Sequence, residues 1–89
     1  MKYFAAILRV LDQEKNVTLR PRHLDFLKEQ EAQGRIYARG PFADGSGGLV
    51  IYLAASLEAA AALAESDPYV SHGARRLELH EWALAPPIR

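Results

Sequence analysis

Apolar and polar positions alternate at the start of the chain. Across Lys2–Leu11, Phe4, Ala6, Leu8 and Val10 fall on one side of an extended backbone and Tyr3, Ala5, Ile7 and Arg9 on the other, which predicts a strand. Asp12–Val17 is polar and reads as a loop. From Thr18 to Gly34 the period changes. At the helical repeat, Leu19, Leu24, Phe26 and Leu27 lie within an arc of roughly 160°. His23 falls near the middle of that arc, so this helix aims an imidazole at the core, where a polar ring needs a partner. Thr18 is a candidate N-cap, Pro21 fits a first turn and Gly34 ends the helix.

The second half repeats the order. Arg35–Gly40 and Leu49–Ala54 alternate as strands, joined across the turn-forming run Ala43-Asp44-Gly45-Ser46-Gly47-Gly48. Ser56 caps a second helix, Leu57–Ser66, whose stripe is Leu57, Ala60, Ala61 and Ala64. Asp67-Pro68 closes it, because a residue before proline is pushed out of helical geometry. Tyr69–Ala74 reads as a connector, Arg75–Leu84 as the last strand and Ala85–Arg89 as a tail with Pro86-Pro87.

The order β-α-β-β-α-β predicts an α+β, ferredoxin-like domain over 1–89, with both helices on one face of a four-stranded antiparallel sheet. The alternation assigns Phe4, Leu8, Leu77 and Leu79, together with Leu49, Ile51 and Leu53, to the face under the helices. Tyr3, Ile7, Tyr37, Val50, Tyr52, His80 and Trp82 are left for the other face. No element remains to cover that second face, and so many rings and aliphatics predict a homodimer formed sheet to sheet.

Composition narrows the function. The chain has 89 residues, no cysteine and no net formal charge. Thiol chemistry is excluded, and three histidines without cysteine argue against a structural zinc site. The arginines come as scattered pairs, which does not favour nucleic acid as a partner. No apolar run is long enough to span a membrane, and Ala5–Leu8 is too short for a leader's apolar region, so the expected location is the cytoplasm.

The candidate chemistry is confined to a few side chains, each with two readings. His23 is either a core histidine bonded to a backbone carbonyl or a proton shuttle, since an imidazole exchanges protons near neutral pH. Arg20 lies three residues earlier on the same side and either stays at the surface or holds a substrate carboxylate. Asp67 caps the turn after the second helix or, if the two helices run side by side, approaches the first. Tyr69 donates its hydroxyl to a ligand or packs on a neighbouring loop. His72 lies in the connector and His80 on the expected dimer face.

Three segments in this order, Arg20-x-x-His23-Leu24, Gly34-Arg35-Ile36 with Gly40-Pro41-Phe42, and Ala64-x-x-Asp67-Pro68-Tyr69, resemble the YCII-related (YciI-like) family over nearly the whole chain. The resemblance implies the dimeric α+β barrel variant of the ferredoxin-like fold and an active site built on a histidine and an aspartate, here His23 and Asp67. Proteins of that fold include a dehydrochlorinase of a chlorinated hydroxyquinol and muconolactone isomerase. The resemblance thus implies a lyase or isomerase that needs no cofactor or metal, acting on a small acidic or aromatic metabolite; the residues themselves add Arg20 and Tyr69 as substrate contacts. The alternatives are a non-catalytic dimeric module that binds such a metabolite and a purely structural one.

Overall fold

The computed structural model describes residues 1–85; the remainder of the expected tail, 86–89, lies outside the described residues. Four strands, β1 (Lys2–Val10), β2 (Ile36–Pro41), β3 (Gly47–Ala54) and β4 (Arg75–Trp82), form one antiparallel sheet in the order β2-β3-β1-β4. The helices are α1 (Gln13–Ala32), α2 (Leu57–Glu65) and a single turn, α3 (Pro68–Ser71). Each β-α-β crossover thus runs from a central strand to an edge strand, β1 to β2 through α1 and β3 to β4 through α2 and α3, as the ferredoxin-like order requires.

Helix α1 begins well before the expected Thr18. Asp12, not Thr18, is its N-cap: the carboxylate accepts from the Lys15 N–H at 3.0 Å. The polar run after Asp12 is therefore a solvated opening of the helix, and the Thr18 hydroxyl donates back to the Glu14 carbonyl. Pro21 consequently lies inside the helix rather than in its first turn. It supplies no N–H to the Val17 carbonyl. At the other end Gly34 takes φ 72°, the left-handed conformation that stops a helix. Gln30 ties this end to β2, because its side chain accepts from the Arg35 guanidinium and its carbonyl from the Arg35 N–H.

The parity of β3 is opposite to the expectation. Its register places Tyr52 opposite Phe4 and Val50 opposite Ala6, so Val50, Tyr52 and Ala54 face the helices, and Leu49, Ile51 and Leu53 face away. The core holds Phe4, Ala6 and Leu8 of β1, those three residues of β3, Leu27 of α1, and Ala60 and Ala64 of α2. Leu77 and Leu79 of β4 pack against this cluster, as expected. A bulge at Tyr37 shifts β2 against β3. On the uncovered side Tyr37 meets Tyr3 edge to face at 5.1 Å, and Trp82 is largely exposed. The parity change exchanges one apolar set for another, so this side remains apolar across β2, β3 and β1.

Gly47 allows β3 to pair with the end of β1. A Cβ built there would lie 1.8 Å from the Leu8 carbonyl oxygen. Gly47→Ala should therefore lower stability by about 1–3 kcal/mol, the usual cost of forcing atoms into packed structure, measured by urea unfolding; an unchanged midpoint would refute the close approach.

Candidate active site

The Asp67-Pro68 step between α2 and α3 positions the acid. Proline suits the first position of α3, and Asp67 is its N-cap, accepting from the Tyr69 N–H at 2.9 Å. Capping also fixes the carboxylate beneath α1. Asp67 is fully buried, and both of its oxygens lie 2.9 Å from the His23 Nδ1. One side chain therefore both caps α3 and meets His23 of α1. His23 is buried as well, at 8% exposure, and its partner is this carboxylate rather than a backbone carbonyl.

A carboxylate only accepts, so the Nδ1 of His23 carries the hydrogen and donates it. This leaves Nε2 as the unprotonated nitrogen of the neutral ring. Among the described residues Nε2 has no hydrogen-bond partner, and His23 lines a cleft of about 130 Å³. The cleft lies between α1, the β2–β3 hairpin and the start of β4. Its walls include Leu24 and Leu27 of α1, the Gly40-Pro41 end of β2, and Val50.

Tyr69 is the wall behind the imidazole. The two rings stack with centroids 4.0 Å apart and planes 21° from parallel. The Arg75 guanidinium lies over the same tyrosine, 4.1 Å from its centroid. At these distances the imidazole and the guanidinium cannot share one face, so the phenol ring is layered between them. One expectation is corrected here. The Tyr69 hydroxyl donates to the Asn16 carbonyl at 3.0 Å, so that proton is not offered to a ligand, and Tyr69 contributes its ring. The same Asn16 accepts from the Arg75 Nε at 2.7 Å through its side chain.

Arg20, exposed on α1, lines the cleft together with His23. Sequence reasoning missed Arg39 and Arg75, which also line it. The inward parity of Arg75 was legible, since it lies two residues before Leu77 on β4. Arg39 is held by Glu31 at 2.7 and 3.3 Å, and that bond keeps the Glu31 carboxyl below its ordinary range. Burial lowers the Arg75 guanidinium from its ordinary value; Tyr69 and Asp67 oppose this, and the charge of Arg20 reinforces it. Burial, reinforced by the Asp67 charge, pushes the Tyr52 hydroxyl well above its ordinary value, so Tyr52 is a neutral part of the core. Elsewhere His72 is exposed with its Nδ1 2.9 Å from the Ser71 hydroxyl, and His80 is exposed on the uncovered sheet face beside Glu78. No group of three or more metal-ligating side chains occurs among the described residues.

Comparison with known proteins agrees with this architecture. A Burkholderia phenoliruptrix AC1100 protein, 5-chloro-2-hydroxyhydroquinone dehydrochlorinase (TftG), solved in complex with 2,5-dihydroxybenzoquinone, has a similar fold. Its TM-score is 0.77 over 93% of this chain and 95% of that one, at 20% identity. The uncharacterized protein YjpA of Bacillus subtilis (strain 168) is 40% identical over 62 residues, 70% of this chain and 73% of the relative. The family model of the YCII-related domain matches residues 1–83, and the chain belongs to that family.

Proposed function

We propose that the protein is an acid–base enzyme, a lyase or isomerase acting in the cytoplasm, that moves a proton on a small acidic or aromatic metabolite without a cofactor. One observation carries this reading: the buried Asp67 carboxylate accepts from the His23 Nδ1, so on the neutral ring the accepting nitrogen is Nε2, on a side chain that lines the cleft. His23 and Asp67 are the catalytic pair, with Nε2 as base and Asp67 fixing the tautomer. Arg20 contacts the substrate, and Tyr69 supports the imidazole and lines its seat.

The dehydrochlorinase of similar fold gives the reaction to test first. In such an elimination Nε2 takes a proton from the substrate. The electron pair released forms the new π bond, and chloride leaves with the carbon–chlorine pair. An isomerisation uses the same base and returns the proton to another carbon. A cleft of about 130 Å³ is close to the roughly 150 Å³ that holds one benzene ring, which favours a single-ring substrate.

The reading also includes a homodimer joined through the uncovered sheet face, where Tyr3, Ile7, Leu49 and Leu53 are half-buried in one protomer. An 89-residue core is small, and covering this face adds apolar burial.

Two experiments test these statements. His23→Asn keeps an N–H donor near the Nδ1 position and removes Nε2. Chloride release from 5-chloro-2-hydroxyhydroquinone should fall about 10²–10⁴-fold in this variant while the melting temperature stays near wild type. His23→Ala, which strips a fully buried carboxylate of its partner, should lose about 3–5 kcal/mol of stability. Turnover that survives His23→Asn, or a failure of the wild-type protein to act on any chlorinated quinol or unsaturated lactone, would overturn the catalytic reading. Light scattering coupled to gel filtration should give a dimer for the wild type and a monomer for Ile7→Lys combined with Leu53→Lys; a monomeric wild type at micromolar concentration refutes the dimer.

A further inference from the structure

The cleft is lined by three guanidinium groups and by no carboxylate. Arg39 is neutralised by Glu31. Arg20 and Arg75 have no acidic partner within ion-pair distance among the described residues. Asp67, the nearest buried acid, is engaged with His23 and the Tyr69 N–H. Arg75 is the more demanding case because it is half-buried, and a charge removed from water needs a counter-charge.

Arg75 is also positioned in the manner of a binding group. Its Nε is anchored on Asn16 and its guanidinium carbon lies over the Tyr69 ring, which restricts the long side chain before any ligand arrives. Gly48, opposite Leu8 on the covered face of the sheet, makes room for it. A Cβ at Gly48 would lie 3.4 Å from the Arg75 Nη1 and 3.0 Å from the Gly40 carbonyl oxygen. The backbone of β3 is bare where the guanidinium passes into the cleft.

We infer that Arg75, with Arg20 beside it, binds an anionic oxygen of the substrate, so that the ligand class is a single-ring carboxylate, phenolate or enolate rather than a neutral ring. This rests on the reading of the cleft as the substrate site, and it adds the charge the substrate carries and the residue that selects it. The guanidinium and the imidazole open onto one cleft on either side of the Tyr69 ring. A ring whose anionic oxygen is held at Arg75 presents another of its edges to Nε2. Arginine is suited to this because it remains charged and offers two parallel N–H donors to an oxyanion.

Benzoate and its neutral isostere benzamide test the inference, with binding followed by amide chemical shifts in the wild type, Arg75→Met and Arg75→Lys. Benzoate should bind the wild type about 10–100-fold more tightly than benzamide. Arg75→Met should abolish that preference and leave benzamide binding unchanged, and Arg75→Lys should restore part of it. Equal binding of the two compounds to the wild type, or no saturable binding of benzoate at millimolar concentration, overturns the inference even if Arg75→Met does not fold. The outcome is separable from that of the catalytic reading. Selective benzoate binding without turnover of any quinol leaves the anion site and removes the enzyme; His23-dependent turnover without benzoate selectivity does the reverse.

Discussion

The fully buried carboxylate of Asp67 is the constraint on which the rest of the structure depends. A charge at that depth is tolerated only if each oxygen has a donor. The donors come from distant parts of the chain: the backbone of Tyr69, two residues on, and the ring of His23 on α1, 44 residues earlier. Satisfying Asp67 therefore fixes the approach of α1 to the α2–α3 corner. The Tyr69 hydroxyl adds a second tie to α1 through the Asn16 carbonyl. Pro21 lies within this stretch, where its missing N–H already loosens the helical hydrogen-bond ladder.

The features that set the fold are also those that fix the imidazole. The proline after Asp67 starts α3, the cap orients the carboxylate, and the carboxylate selects the tautomer of His23. The stacked Tyr69 ring then holds the imidazole plane. A backbone carbonyl would also satisfy the Nδ1 hydrogen of a buried histidine. The arrangement with Asp67 differs in one respect: the hydrogen on Nδ1 is held by a carboxylate, which fixes the tautomer and leaves Nε2 as the accepting nitrogen of the neutral ring. This property is what supports the enzymatic reading over a merely structural pair.

The helix order, the strands and the inward direction of His23 were legible because period and polarity agreed there. The parity of β3 was not. Every position from Leu49 to Ala54 is apolar, so alternation carries no information in a strand covered on one side and half-buried on the other. Only pairing decides it, and Gly48 opposite Leu8 sets the register. The start of α1 was hidden for the opposite reason. Its first turns are solvated, so apolar periodicity begins late although Asp12 offers a cap. Of the candidate site, His23, Asp67 and Arg20 were readable from motif and helical spacing. Arg75 was passed over because an arginine at the start of a strand resembles a surface charge until Asn16, 59 residues earlier, is seen holding it.

The zero net charge of the chain conceals a local imbalance that bears on specificity. Among the described residues Lys2 pairs with Glu81 and His80 lies on Glu78 away from the cleft, and at the cleft Arg39 pairs with Glu31. Around the cleft the one buried acid is committed to an imidazole, and two guanidinium groups are left without a carboxylate. Had stability been the sole requirement on Arg75, an apolar residue over Tyr69 would avoid the desolvation of a cation. A tethered guanidinium on a half-buried wall, with a bare glycine backbone beside it, is better explained by a charge that arrives with the ligand. A negative ligand there would offset the cost of Arg75, relieve its repulsion with Arg20, and stabilise the imidazolium that proton abstraction creates.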